Sequence, residues 1–421
     1  MQICKKNEGI TLVALIITII ILLILAGVSL SFVFNGGILD KSQQAVNEYK
    51  NESEKEKNLL EQIDKYLENE LSGNSGVGPV EPEIPTVDEN GLADKDTTIT
   101  TDDPNIQIVI PKGFAPVILQ TDRTDSMPGE NGAVKEIMPI EEWNNITAEQ
   151  INKGIVVVDN AITYDGGQAT GAVSDFNEYV WIPMPDSSKF ARVAWTTPYG
   201  YDENGNFGSG GKVHLLAETS TLNRFWEDKT TEEYINMTNS VNRNKGFYIS
   251  RYEASDNGKG IAQSKRNQQV WKNMLPATAV SASSNMKANI NSHLIYGIEW
   301  DSVLQWLLDS GAIISSSTSG QNKIIDENDV QTNSSSWGNY SNSTGNASVN
   351  AKILQISGKS EYWKVNNIYD LAGNLHEVTK EKYSTITDYD VRGGVYVDAG
   401  TYSPVADRNV SNNEANGYVR I

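Results

Sequence analysis

Cysteine and histidine are almost missing from this sequence of 421 residues. The one cysteine is Cys4, which excludes an intramolecular disulfide and any thiol chemistry beyond that position. The three histidines, His214, His293 and His376, are scattered and form no metal-binding motif. The G-x-S-x-G and P-loop motifs are also absent. A hydrolase built on paired carboxylates stays open, because such pairs cannot be located from sequence.

Positive charge is scarce as well. The chain has 34 lysines and arginines against 54 aspartates and glutamates, a net charge of −20. Such a surface repels phosphates, so we expect no nucleic-acid partner, whereas divalent cations and a cell-surface location remain compatible. A length of 421 residues with 38% hydrophobic composition allows two or three domains with a real core.

The amino terminus carries a long apolar run. No charge occurs from Ile10 to Leu39, and residues 10–34 are long enough to span a membrane, which takes about 20 apolar residues. Lys5 and Lys6 precede the run, so the start is expected in the cytoplasm and the rest outside.

The segment from Glu8 to Leu15 (EGITLVAL) resembles the leader of type IV prepilins. The resemblance implies that a prepilin peptidase cuts between Gly9 and Ile10, with residues 1–9 as the leader, and that other pilins are candidate partners. Ala14 stands where pilins usually carry glutamate, which weighs against assembly into the body of a filament. An ordinary signal anchor is the alternative.

Two different segments follow the apolar run. Apolar residues at helical spacing up to Leu71 predict that residues 10–71 form one transmembrane and stalk helix. Residues 72–104 contain four prolines, several glycines and eight acids against one lysine, which predicts a flexible linker without a core.

Residues 105–421 are predicted to form one α+β head with much irregular structure. Strands are expected at Ile106–Ile110, Ile155–Val158, Glu178–Pro183 and Phe247–Ala254, and a helix at Tyr296–Leu308. The Ser/Asn/Gly-rich stretch 315–350 is predicted to be a long surface loop.

Three segments at the carboxyl end carry a family resemblance: Tyr369 to Val378 (YDLAGNLHEV), Val391 to Tyr396 (VRGGVY) and Gly417 to Ile421 (GYVRI). They resemble the signatures of the formylglycine-generating-enzyme-like (sulfatase-modifying factor) domain, a branch of the C-type lectin fold. The enzymes of that family use a pair of cysteines that hold copper. No cysteine lies after Cys4, so we expect no such activity.

The resemblance also implies a structural calcium ion. By position, its ligands would be the carboxylates of Asp370 and Glu377 and the backbone carbonyls of Gly373 and Leu375. Calcium takes six to eight oxygen ligands from a flexible turn, which suits this set. The structural alternative is that Asp370 caps a turn and Glu377 forms a salt bridge with an arginine such as Arg392.

The segment after the two glycines is predicted to bind a ligand. Tyrosine with Asn, Asp and Ser provides rigid contact area and adaptable hydrogen bonding. The candidate residues are Tyr396, Asp398, Tyr402, Asp407, Arg408, Asn409, Asn412 and Asn413. The family includes variable proteins of diversity-generating retroelements, and this mixture at the chain end, within residues 391–421, fits their substitution set. A solvated loop of turn-forming residues is the alternative.

The sequence thus predicts a non-enzymatic, pilin-like cell-surface protein that binds an unidentified extracellular glycan or protein. A minor pilin or pseudopilin with a structural role is the alternative, and a divergent enzyme is a weaker one.

Overall fold

The computed structural model of the chain describes residues 85–120, 132–162, 175–201, 207–209, 225–284, 286–287, 290–314, 322–383, 388–411 and 418–419. All of them belong to the second of two units, Glu83–Ile421. The predicted leader with Gly9 and Ile10, the membrane segment 10–34 and the stalk lie outside these residues. Among the residues that are described, no helix is long and apolar enough to cross a membrane.

The described part is a mixed α+β domain with short strands and few helices. Its strands in chain order are β1 Thr97–Thr100, β2 Gln107–Ile110, β3 Ala115–Leu119, β4 Val134–Ile137, β5 Val156–Val158, β6 Glu178–Pro183, β7 Tyr199–Tyr201, β8 Phe207–Ser209, β9 Phe225–Trp226, β10 Gly246–Ser250, β11 Ser255–Asp256, β12 Ala262–Gln263, β13 Ile313–Ile314, β14 Lys323–Ile324, β15 Lys364–Val365, β16 Ile368–Tyr369, β17 Glu377–Tyr383, β18 Asp388–Arg392, β19 Asn409–Ser411 and β20 Tyr418–Val419. Its α-helices are α1 Ile140–Trp143, α2 Ala148–Asn152, α3 Glu232–Asn244, α4 Pro276–Ser283, α5 Gly297–Asp309 and α6 Glu327–Gln331. Single 3-10 turns lie at Ser187–Lys189, Gly345–Ser348 and Glu361–Trp363.

Five strands form the first large sheet, in the order β10-β6-β5-β3-β4, with every neighbouring pair antiparallel. Both of its faces are covered. Tyr179 and Trp181 of β6 point into one apolar cluster, whereas Val180 and Ile182 point into another. A strand buried on both faces reads as a continuous apolar run, which explains why the stretch from Glu178 to Pro183 does not alternate.

The second large sheet lies near the carboxyl end. It has the order β19-β18-β17-β20, and β9 also pairs with β17. Helix α5 packs against both large sheets through contacts with β6 and β17. Most of its residues are buried, including Trp300, Val303, Leu304 and Leu307. This helix therefore forms the centre of the larger apolar core.

Most of the predicted elements are confirmed. Strand β6 has the predicted bounds, and β2 and β5 differ from prediction by one residue at their start. Strand β10 ends at Ser250, four residues before the predicted end. Helix α5 covers Gly297–Asp309 in place of Tyr296–Leu308.

The predicted linker differs from the structure from residue 85 onward. Thr97–Thr100 forms a strand that pairs with β2, and Leu92, Ala93 and Ile99 are buried. The acidic composition favoured a linker, but most of the described charged residues, such as Glu89, Lys95 and Asp96, are exposed, whereas Leu92, Ala93 and Ile99 point inward. The packed region therefore begins before Asn105.

The stretch 322–350 is also not a surface loop. It contains β14 and α6, and it buries Trp337 and Tyr340 completely. Four of its serines and asparagines are buried: Ser334, Ser335, Asn339 and Ser343. All four form hydrogen bonds: the hydroxyl of Ser334, for example, donates to the carbonyl of Asp329 at 2.7 Å. Polar composition predicted exposure, whereas the two aromatic side chains place the segment in the core.

Candidate functional site

The structure brings the three carboxyl-terminal signature segments together. In β17 and β18, Glu377 lies opposite Arg392 and Val378 lies opposite Val391. In β20, Tyr418 and Val419 pair in parallel with Glu377 and Val378. The segments that sequence analysis singled out separately are thus adjacent strands of one sheet.

Two glycines turn the chain out of β18. Gly393 and Gly394 both have positive φ, at 87° and 81°, which side chains rarely adopt. A Cβ at Gly393 would overlap the carboxylate of Glu377, and one at Gly394 would overlap the carbonyl oxygen of Ser403. The pair therefore permits both the turn and a close approach of the following segment to the sheet.

The segment from Val395 to Arg408, which we call the terminal segment, is held by backbone hydrogen bonds to residues 334–342. The amide of Ser341 donates to the carbonyl of Asp398 at 2.8 Å, and that of Gly400 donates to the side chain of Asn342 at 2.7 Å. The amide of Val405 donates to the hydroxyl of Ser334 at 2.9 Å. Although irregular, the segment is anchored along its length.

Part of the predicted ligand-binding set lies on the surface of this segment. Tyr396, Asp398 and Tyr402 are half-buried, with the exposed residues Val397 and Thr401 between them. The ring of Tyr402 packs against that of Tyr199 with a centroid separation of 4.5 Å. We use the name tyrosine face for the side chains of Tyr396, Val397, Asp398 and Tyr402 together with Tyr199.

The other predicted binding residues are placed differently. Arg408 is completely buried and Asp407 is 5% exposed, so neither belongs to an exposed surface. Asn409 is half-buried in β19. Asn412 and Asn413 lie outside the described residues. The prediction took Asp407 and Arg408 for loop residues because a short polar run gives no sign that it turns inward.

Arg408 belongs to a buried ionic cluster that sequence analysis missed. Its Nη2 lies 2.5 Å from Oδ2 of Asp301, and its Nε lies 3.0 Å from Oε2 of Glu381. Arg392 contacts the same two carboxylates, at 2.8 Å from Asp301 and 3.3 Å from Glu381. Arg192 also binds Glu381. One signal was available: Asp301 lies between Trp300 and Val303 on the predicted buried side of the helix, and a buried charge requires a partner.

The carboxyl groups in and beside this cluster have pKa values that are shifted in opposite directions. Burial alone would raise the pKa of Glu381, but the guanidiniums of Arg192, Arg408 and Arg392 hold it well below its usual range. Burial raises the pKa of Glu227 to about 8 despite Arg192, whose Nε is 3.8 Å away. Burial also raises the pKa of Asp390 well above its usual range, with Glu381 adding to the effect. The cluster fastens α5, β17 and β18 to the base of the terminal segment.

The predicted calcium ligands lie in a buried turn before and within β17. Asp370 and Glu377 are fully buried, and Gly373 has φ 74°. Oδ2 of Asp370 accepts a hydrogen bond from the amide of Gly358 at 2.7 Å. No three His, Cys, Asp or Glu residues within the described ranges are grouped closely enough to hold a metal ion. The predicted set has only two carboxylates, so calcium binding at this turn stays a prediction.

The histidines are separated. Nε2 of His293 lies 3.1 Å from both oxygens of Glu299; burial would lower its pKa, but Glu299 raises it above the ordinary value. His376 lies in the turn before β17, where burial lowers its pKa. His214 lies outside the described residues.

No family model, curated protein or solved structure matches the chain.

Proposed function

We propose that the protein is a non-enzymatic cell-surface protein that binds an extracellular ligand through the tyrosine face. A pilin-like segment anchors it in the membrane, and a head of the C-type lectin type, similar to formylglycine-generating-enzyme-like domains, carries the binding surface. The observation that carries the proposal is the contrast within the terminal segment: Tyr396, Val397 and Tyr402 are accessible, while Arg408 at its base is locked in buried ion pairs.

A binding surface of this kind needs preorganisation. Ordering a loop at the moment of binding costs free energy, so a loop already held in one conformation binds more tightly. Tyrosines add large contact area with few rotatable bonds. Here the fixed backbone comes from the hydrogen bonds to residues 334–342 and the side chains come from the terminal segment, which fits adaptable recognition of a glycan or protein.

The test uses point variants, because a chain cut before Val391 would lose Arg392 from the core. Full-length protein in detergent micelles is screened against a glycan array and a panel of bacterial cells. Tyr396→Ala combined with Tyr402→Ala is expected to lower affinity at least tenfold, as for hot-spot tyrosines worth more than about 1.4 kcal/mol. Leu275→Ala and Ile353→Ala, at 49% and 60% exposure elsewhere on the head, are the matched control. Equal binding by both double variants would contradict the proposal.

Diversification by a retroelement is a separate part of the proposal. Deep sequencing of the 3′ end of the gene across sibling strains is expected to find changes at the codons of accessible positions such as Tyr396, Val397, Asp398 and Tyr402. Codons for buried Arg408 and Val405 should stay constant, because changes there would disturb the core. An invariant end would leave a receptor of fixed specificity.

Membrane anchoring is proposed through residues 10–34, with the head outside the cell. Mass spectrometry of the protein from its own membranes is expected to find Ile10 as the first residue. An intact Met1 end would favour the ordinary signal anchor. Recovery of the protein only in purified filaments, without ligand binding, would favour the minor pilin.

A further inference from the structure

A cleft of about 790 Å³ lies beside the open edge of β10, and none of its lining residues belongs to the terminal segment. Helix α3 forms one wall and residues 290–295 form another. Strand β10 is an edge strand of the first sheet. In the part of the chain that the structure describes, no strand pairs with the edge that faces away from β6. An open strand edge inside a cleft is a template for another extended chain.

The pairing with β6 determines which backbone groups face this cleft. The amide of Arg251 donates to the carbonyl of Glu178, and that of Met184 donates to the carbonyl of Lys245. Hydrogen-bonded pairs alternate with unbonded ones in an antiparallel ladder, so Tyr248, opposite Trp181, belongs to an unbonded pair. The amide of Trp181 accordingly donates to Ile155 on the far side. The amide and carbonyl of Tyr248 therefore point toward the open edge.

Apolar side chains line the cleft on both sides of this edge. Phe247 and Ile249 line it from one face of β10, and Tyr248 with Trp181 lines it from the other. The rings of Tyr248 and Trp181 pack edge to face at 4.9 Å, and the hydroxyl of Tyr248 is held by the carbonyl of Val109 at 2.9 Å. An added strand lies about 4.8 Å from its neighbour and alternates its side chains between the two faces. Phe247, Ile249 and Trp181 are themselves 9%, 1% and 2% exposed, whereas Tyr248 is half-buried, so Tyr248 offers most of the accessible apolar contact to such side chains.

The charges around the cleft select the occupant. Four carboxylates line it, those of Asp96, Glu232, Glu233 and Glu299, against one arginine and one histidine. Glu233 is engaged by Tyr296 and Lys380, and Glu299 is engaged by His293. Asp96 and Glu232 are exposed at the rim, where Oδ1 of Asp96 also accepts a hydrogen bond from the amide of Lys112 at 2.9 Å. A second copy of this chain, with its net charge of −20, would meet repulsion there.

We propose that the open edge of β10 binds an extended basic peptide as an added strand, through the backbone of Tyr248 and the acidic rim of Asp96 and Glu232. The site is independent of the tyrosine face. The partner supplies alternating backbone hydrogen bonds, apolar side chains for the cleft, and lysine or arginine for the rim.

The test begins with a display library of random nine-residue peptides selected on full-length protein in detergent micelles. Enriched peptides are expected to be basic, and binding should slow hydrogen exchange at the amide of Tyr248 but not at those of Phe247 and Ile249, which already face β6. A synthetic copy N-methylated at alternate amides should bind at least tenfold more weakly than the parent.

Charge is tested separately. Asp96→Asn with Glu232→Gln is expected to weaken binding of the enriched peptide severalfold and to reduce its salt dependence. The control is Asp256→Asn with Glu327→Gln, at exposed sites outside the cleft lining. The proposal is overturned if no peptide is enriched, if enriched peptides leave the Tyr248 amide unprotected, or if the N-methylated copy binds equally well.

Discussion

Arg408 is a structural residue. Its removal would leave the buried carboxylates of Asp301 and Glu381 with one fewer positive charge beside them. Arg408→Met is expected to lower the free energy of unfolding by about 3 to 5 kcal/mol, the usual cost of removing one partner from a buried ion pair. Arg243→Met, on the exposed side of α3, is the control and should change it by less than about 0.5 kcal/mol. Denaturant unfolding measures both. A loss below about 1 kcal/mol for Arg408→Met would mean that Arg392 and Arg192 are enough to balance the charge of the buried carboxylates.

Glu227 makes stability depend on pH in the opposite sense to an ordinary salt-bridged carboxylate. Its pKa is about 8 in the folded protein and near 4.5 in an unfolded chain. Between these two pH values the Glu227 carboxyl is protonated in the folded state and ionised in the unfolded state. The stability that Glu227 contributes is therefore fully present below about pH 4.5 and is lost as the pH rises through about 8. Glu227→Gln keeps the acceptor for the amide of Ile298, which lies 3.1 Å from Oε1.

The raised pKa of Glu227 predicts how the Glu227→Gln variant changes the pH dependence of stability. Relative to the original protein, Glu227→Gln should gain stability as pH rises from 5.5 to 8.5, by at most about 1.4 kcal/mol per pH unit for one proton. Denaturant unfolding at three pH values measures the difference, and Glu327→Gln at an exposed position is the control. A difference that stays constant with pH would contradict the raised pKa.

At the scale of an element, the turn after β18 decides where the terminal segment lies. Gly394→Ala is expected to cost more than Gly258→Ala, although both glycines have φ +81°. The strained φ costs about 1 to 3 kcal/mol at either site. Only at Gly394 would the new Cβ also overlap a carbonyl oxygen, while Gly258 has no atom within 4 Å of that position.

Two measurements check this turn. Thermal or denaturant unfolding compares the two variants, and ligand binding by the tyrosine face reports on the geometry of the segment. Equal stability losses at the two positions would indicate that the chain relaxes away from Ser403 without cost.

At the scale of the whole molecule, the amino-terminal boundary of the head can be tested by shortening the chain. A protein beginning at Glu83 keeps β1 and buried Leu92 and Ile99, whereas one beginning at Asn105 loses them. Each of these two side chains contributes about 1.5 to 3 kcal/mol by burial, so the shorter protein is expected to be less stable by about 3 to 6 kcal/mol. Identical denaturant midpoints for the two proteins would mean that residues 85–104 belong to the flexible linker.

Local sequence patterns predicted the α+β class, the bounds of β6 and most of α5. These follow from local rules: a short apolar run predicts a buried strand, and apolar residues at helical spacing predict a helix. The glycines of VRGGVY were singled out by a family resemblance, and the structure shows that both adopt positive φ in a turn. Local patterns of this kind do not depend on distant parts of the chain.

Tertiary structure alone decided which polar residues are inside. Asp301, Glu381, Arg392 and Arg408 meet from four separate segments, and nothing in the sequence near Arg408 distinguishes it from an exposed loop residue. The same holds for Ile99 in an acidic stretch and for Trp337 among serines. Burial of a charge or of an isolated apolar side chain depends on what the rest of the chain places against it, and that is a property of packing.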